Sequence, residues 1–208
     1  MATGRSNQLT KQIGEYLVAS ELARRGLLVA TFSGSVPDFD IIATNLKGSS
    51  CPIQVKTIKG GAWQFSIDKF AEISFDCKKQ LIGKKKPFII RDLICVFVIA
   101  SKNYGEDQFF IIEWAKVQNL IIANYKRWLR SHGGIRPRKP DSLHCAVNEN
   151  ELKPFKDNWS LIIKRFKLLK SSRLYSQKTG IFERREDCHL IRARERRTLP
   201  RAKITPNL

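Results

Sequence analysis

Two short apolar runs, Asp38-Phe39-Asp40-Ile41-Ile42-Ala43 and Ile53-Gln54-Val55-Lys56-Thr57, stand on either side of the turn-forming stretch Asn45-Leu46-Lys47-Gly48-Ser49-Ser50. β-Branched residues crowd the runs while asparagine, glycine and serine fill the gap, so the spacing predicts two arms of an antiparallel hairpin. A turn centred on Lys47 pairs residues equally distant from it, which sets Asp40 opposite Gln54. Side chains alternate along a strand, so Gln54 and Lys56 share one face while Ile53, Val55 and Thr57 serve the other. A carboxylate, an amide oxygen and an ammonium therefore converge. Such an oxygen set suits a hard divalent cation. Mg²⁺ or Mn²⁺ would take Asp40, the Gln54 side-chain oxygen and a backbone carbonyl near Val55, and keep waters elsewhere. Lys56 would hold or deprotonate an attacking water, or offset charge building on a phosphate.

A second carboxylate precedes the hairpin. From Asn7 to Arg25 the apolar positions Leu9, Ile13, Tyr16, Leu17, Leu22 and Ala23 suit an amphipathic helix, with Ser6 or Thr10 as starts and Gly26 as the stop. Glu15 lies beside that stripe. Turned inward it would join the metal ligands and orient water; turned outward it is a solvated helix residue, and periodicity alone leaves both open. Asp40 and Lys56 likewise admit a plainer reading as an ordinary ion pair across a hairpin.

A helix containing Gly14-Glu15 and ending in Arg24-Arg25-Gly26, then Pro37-Asp38-Phe39-Asp40-Ile41-Ile42, then Ile53-Gln54-Val55-Lys56-Thr57, resembles the PD-(D/E)xK nuclease superfamily, to which archaeal Holliday-junction resolvases and many restriction endonucleases belong. The resemblance covers about the first half of the chain and extends loosely to Arg130. It implies a restriction-endonuclease-like α/β core, a central mixed four- to five-stranded sheet flanked by helices. Asp40 would match the metal-binding aspartate, Gln54 the (D/E) position, Lys56 the lysine and Glu15 the first-helix glutamate. Pro37-Asp38 spells the family's dipeptide, but Ile41-Ile42-Ala43 follows Asp40, which makes Asp40 the ligand and Asp38 a loop residue or second-shell partner. Gln54 departs from the family's acid and leaves a metal with less ligand charge. The implied activity is Mg²⁺- or Mn²⁺-dependent hydrolysis of phosphodiesters in nucleic acid, with DNA the leading substrate and a homodimer permitted. The competing reading is a non-catalytic nucleic-acid-binding protein on the same scaffold, and a third is a basic interaction module whose pattern is accidental.

Charge agrees with a polyanionic partner. The 208 residues carry 38 Lys and Arg against 19 Asp and Glu, a net +19, which gives sequence-independent, salt-sensitive affinity for phosphates. No stretch approaches the ~20 apolar residues of a membrane-spanning helix. The five cysteines form no Cys-x-x-Cys pair, so reduced thiols and a cytoplasmic setting are expected. A zinc site from His144-Cys145 and Cys188-His189 has poor ligand spacing. No phosphate-binding glycine loop, serine-hydrolase elbow or internal repeat is present.

The organisation expected is a core over residues 1–130, a basic loop and helical extension over 131–170, and a basic tail over 171–208. Within the core, Trp63 to Ile67 and Asp107 to Glu113 read as strands. Asp92 to Ala100, apolar on both faces, reads as the central one. Trp114 to Arg130 has one broad apolar helical face. Lys78, Lys79, Lys84, Lys85 and Lys86 form a charge run, ordinarily a solvated face but able to line a groove. Lys59 ends the site strand. His132-Gly-Gly-Ile-Arg-Pro-Arg-Lys-Pro140 is a loop whose Arg136, Arg138 and Lys139 would either clamp a nucleic-acid backbone or simply connect elements. A further helix is expected from Asp157 to Leu169, and the arginine-rich tail around Arg184-Arg185 and Arg192 to Arg201 favours disorder or a short helix.

Overall fold

A computed structural model describes residues 4–32, 38–88, 90 and 92–166. The 171–208 tail, Cys188-His189, Pro37 and the end of the 157–169 helix lie outside these. The chain runs through helix α1 (Gly4–Arg24), strands β1 (Leu28–Thr31), β2 (Ile41–Thr44), β3 (Ser50–Ile58), β4 (Trp63–Ser66), β5 (Ala71–Asp76), β6 (Lys79–Lys85), β7 (Ile94–Ile99) and β8 (Gln108–Glu113), helix α2 (Trp114–Ser131), strand β9 (His144–Val147), the short helix α3 (Glu149–Leu152) and helical turns over 160–166.

Five strands form the central sheet in the order β1-β2-β3-β7-β8. All neighbours are antiparallel except β3 and β7, which run parallel, so the sheet is mixed, as expected. The hairpin register also agrees: Ile41 pairs with Ile53, Ile42 with Pro52 and Thr44 with Ser50. Alternation on β7 sends Val96 and Val98 to one face and Cys95 and Phe97 to the other, which is why this strand is apolar throughout. On the first face Val18 and Leu22 of α1, with Trp159, Ile162 and Phe166, close over Ile41, Ile53, Val55 and Ile111. On the second, Val117, Ile121, Tyr125 and Leu129 of α2 pack with Phe97, Phe110, Ile112, Trp63 and Phe70.

Three expectations need correction. The apolar stripe of α1 faces the core only in part: Leu22 is buried and Leu17 partly so, but Leu9, Ile13 and Tyr16 are 52%, 39% and 56% exposed, and the buried face is Gly14, Val18 and Leu22. Glycine occupies position 14 of that face because the helix there lies against Thr57 of β3. The stretch around the lysine run, read without strands, forms an antiparallel ribbon of β5 and β6 around Cys77-Lys78, with all five lysines exposed as expected. It escaped notice because only Ile73 and Ile82 give it a core-facing period. Finally, β9 lies in the stretch read as loop and helix, and it pairs with β4, Trp63 opposite Val147.

Candidate active site

β2 ends at Ile41 while β3 continues to Ile58, so beyond Ile53 the sheet has a notch on the β2 side. Asp40 fills its corner. Its backbone N–H donates to the Ile53 carbonyl (2.9 Å), continuing the ladder by one step, and its carboxylate Oδ2 accepts from the Val55 N–H (2.8 Å). Asp40 thereby satisfies the first β3 amide past the end of β2, as a buried N–H requires. The N–H and C=O of a strand residue point to the same neighbour, so the Val55 carbonyl also points into the notch.

The other wall is α1. Lys11 and Glu15 stand one helical turn apart, and the Lys11 ammonium reaches both Glu15 Oε1 (3.4 Å) and Asp40 Oδ1 (3.2 Å). Asp40, 9% exposed, and the half-buried Glu15 therefore converge on one cation. Burial raises the Glu15 carboxyl above its usual range; Lys11 and Lys56 oppose the rise and the charge of Asp40 adds to it. Lys11 is held above the ordinary lysine value despite partial burial, because Asp40 and Glu15 both favour its charge. Sequence reasoning missed Lys11, although the i, i+4 spacing to Glu15 was there to read.

Gln54 and Lys56 project from the opposite face of β3 into a cleft of about 480 Å³, lined also by Asp38, Gln64, Lys69 and the aromatic or apolar Phe65, Phe70, Phe88 and Trp114. Trp63 fixes the Lys56 backbone, its indole N–H donating to the Lys56 carbonyl (2.8 Å). Asp38 has a left-handed φ of 72°, a conformation aspartate tolerates better than most residues, and it lies at the cleft rather than behind it. Of the expected site residues, Glu15, Asp40 and Val55 meet at the notch, and Gln54, Lys56 and Asp38 share the cleft, close enough to the first group for Glu15 to feel Lys56.

The expected nucleic-acid contacts divide. Lys59, Arg138 and Lys139 are exposed. Arg136 is turned inward, its guanidinium donating to the carbonyls of Ser142 (3.1 Å) and His144 and lying over the Trp128 ring, so its head is engaged within the protein. Among the described residues no cluster of three His, Cys, Asp or Glu could hold a metal. The fit to a cation is nonetheless visible, since an ammonium is what the two carboxylates already embrace. Among the described residues no helix is long and apolar enough to cross a membrane.

No family model matches the chain, and no curated protein matches it. Among solved structures the chain is similar to a bacterial homing endonuclease, I-Ssp6803I, at 12% identity over 79% of this chain and 98% of that one, with a TM-score of 0.47.

Proposed function

We propose that the chain is a metal-dependent endonuclease of the PD-(D/E)xK type, hydrolysing phosphodiester bonds in DNA. The observation that carries this reading is the convergence of Glu15 and Asp40 on one cation at the notch, beside a cleft that presents Gln54 and Lys56. Asp40, Glu15, the Gln54 side-chain oxygen and the Val55 carbonyl would hold Mg²⁺ or Mn²⁺. When bound, the ion would acidify a water and neutralise phosphate charge. Lys56 orients the nucleophile or offsets charge on the phosphoryl oxygens, with Trp63 keeping its backbone in place. Lys59, Arg138 and Lys139 supply contacts to the nucleic-acid backbone, Arg136 braces their loop, and Asp38 orients groups at the cleft mouth. The second reading, a metal-free nucleic-acid binder, is favoured by one observation: Lys11 already pairs with both carboxylates.

The deciding experiment is cleavage of supercoiled plasmid, linear duplex, four-way junction, single strands and RNA with Mg²⁺, Mn²⁺ or chelator, comparing the parent with Lys56→Ala. Cutting of DNA that needs metal and is lost in Lys56→Ala is expected. Binding without cutting in both proteins would move the assignment to the binder.

Lys11 makes a separate prediction. A divalent ion must displace its ammonium, so Lys11→Ala should lower the half-saturating Mg²⁺ concentration about tenfold at pH 8, a discounted figure because Lys11 is half exposed. The pH dependence follows from Glu15. Because the folded state holds the Glu15 proton longer than the unfolded chain does, stability falls as pH rises between the ordinary glutamate value and the raised one, and is level above that window. Removing Lys11 raises Glu15 further and stretches the window toward neutrality, so the gain in metal affinity should shrink at pH 6. Metal titrations followed by melting temperature at both pH values check this; an unchanged Mg²⁺ requirement would mean Lys11 does not occupy the metal position.

A further inference from the structure

The β5–β6 ribbon is fixed at its base and along its inner side, while the side chains of its other face are exposed, Lys79 alone of them lying against Gly134. At the base, the Lys86 N–H donates to the Phe70 carbonyl (3.0 Å). The buried Gln118 of α2 clasps both ends, its Nε2 donating to the carbonyls of Phe70 (2.8 Å) and Lys86 (2.9 Å). Along the inner side, Ile73 and Ile82 pack on the core. The buried Gln80 donates to the Ser142 carbonyl (3.0 Å) and accepts from the Tyr125 hydroxyl (2.6 Å), while its backbone N–H donates to the Gly134 carbonyl (2.9 Å). Gly134 has a φ of 84°, and a Cβ there would come within 3.0 Å of the Lys79 side chain. The ribbon and the loop bearing Arg138 and Lys139 are thus locked side by side, joining two basic segments far apart in sequence.

Alternation puts Glu72, Ser74, Asp76, Lys79 and Leu81 on the outward face, and all five are exposed, with Ser74 opposite Leu81 and Asp76 opposite Lys79. That face mixes an ammonium, two carboxylates, a hydroxyl and an apolar branch, the repertoire that distinguishes base edges: lysine for guanine, carboxylates for the cytosine amino group, an apolar contact for the thymine methyl. The exposed Lys78 and Lys84 flank it, suited to phosphates. Lys69 and Phe70 before the ribbon and Pro87 and Phe88 after it line the cleft that holds Gln54 and Lys56, so a ligand along the ribbon continues toward the proposed chemistry.

We infer that the β5–β6 ribbon enters the major groove of duplex DNA, making B-form double-stranded DNA the substrate class of the cleft. Groove dimensions select that partner. The B-DNA major groove, about 12 Å wide, admits a two-stranded ribbon, whereas the major groove of double-stranded RNA is too deep and narrow to be read by side chains. A single strand offers no groove. The inference rests on the endonuclease reading for its chemistry but is tested by binding alone.

The test measures affinity of the full chain, in chelator, for a DNA duplex, an RNA duplex of the same sequence and single-stranded DNA. Each is compared with Ser74→Trp, which obstructs the outward face, and with Lys78→Ala/Lys84→Ala; melting temperatures establish that both variants are folded. The parent should prefer the DNA duplex. Ser74→Trp should weaken duplex binding at least tenfold and leave single-strand binding unchanged. The double lysine variant should reduce the slope of log affinity against log salt by about two, one for each lost phosphate contact. Unaltered duplex affinity in folded Ser74→Trp, or equal parent affinity for the RNA duplex or the single strand, overturns the inference. Loss of duplex binding in the variants of a parent that never cuts would refute the nuclease reading and uphold the ribbon; a parent that cuts DNA with metal alongside variants that bind normally would do the reverse.

Discussion

In an Asp40→Ala chain, metal-dependent cleavage should fall about a thousandfold or more, the loss equivalent to the several kcal/mol a metal ion contributes to a transition state. Asp40 has two duties, and they can be separated. Its Oδ1 faces the cation position and its Oδ2 accepts the Val55 N–H. Alanine removes both, leaving a buried amide without its partner at a cost of about 1 to 3 kcal/mol. Asparagine keeps an oxygen for Val55 but loses the charge. Asp40→Asn should therefore cleave as poorly as Asp40→Ala while melting nearer to the parent, and Mg²⁺, which is expected to raise the parent's melting temperature by binding its folded form, should leave that of the variant unmoved. Gln54→Glu acts in the opposite sense, adding ligand charge, and should lower the half-saturating Mg²⁺ concentration. Cleavage by Asp40→Asn at the parental rate would remove Asp40 from the chemistry and leave it the strand-end cap alone.

The parts legible in the sequence were those set by local rules. The turn residues Asn45 to Ser50 fixed the register of β2 on β3, since a hairpin's pairing follows from where its turn lies. That register put Asp40 at the end of the ladder. The unbroken apolar run of β7 and the broad apolar face of α2 also gave their positions away. What escaped depends on neighbours distant along the chain. The packing face of α1 could not be read fully from hydrophobicity because Leu9, Ile13 and Tyr16 are exposed while Leu22, no more apolar than they are, is buried. The ribbon escaped because its inner face is completed by Gln80, a polar residue whose partners lie on α2 and in the loop before β9. Arg136 looked exposed from its proline- and glycine-rich surroundings, yet its carbonyl partners at Ser142 and His144 draw it in. At the candidate site, the position of Asp40 at the end of β2 and the shared face of Gln54 and Lys56 were legible through the hairpin. Which way Glu15 turns depended on the α1 contact with β3, which places it partly buried and paired with Lys11.

That contact turns on Gly14, and Gly14→Ala should destabilise the protein by about 2 kcal/mol. Helix propensity alone predicts the opposite sign, a gain of about 1 kcal/mol for alanine over glycine in a helix interior. Packing decides the matter. A Cβ on Gly14 would lie 1.7 Å from Thr57 Oγ1 and 2.8 Å from Thr57 Cβ and Cγ2, so α1 must retreat from β3, and overpacking a tight contact costs about 1 to 3 kcal/mol or more. The retreat carries Lys11 and Glu15 away from Asp40. A displacement of about 1 Å in a positioning element can cost a hundredfold in rate, so cleavage should drop by that order even under conditions where the variant is folded. Thr57 supplies the control. Its Oγ1 is buried without a hydrogen-bond partner among the described residues, so Thr57→Ala on its own should be close to neutral. Combined with Gly14→Ala it removes the nearest clash but keeps the Cβ at 2.8 Å, and should restore part of the stability and part of the cleavage. The two substitutions share a contact, so their effects should fail to add. Denaturant melts and single-turnover cleavage of the two single variants and the double measure that coupling. A Gly14→Ala protein more stable than the parent, with cleavage intact, would mean that Glu15 reaches the site without the close helix approach.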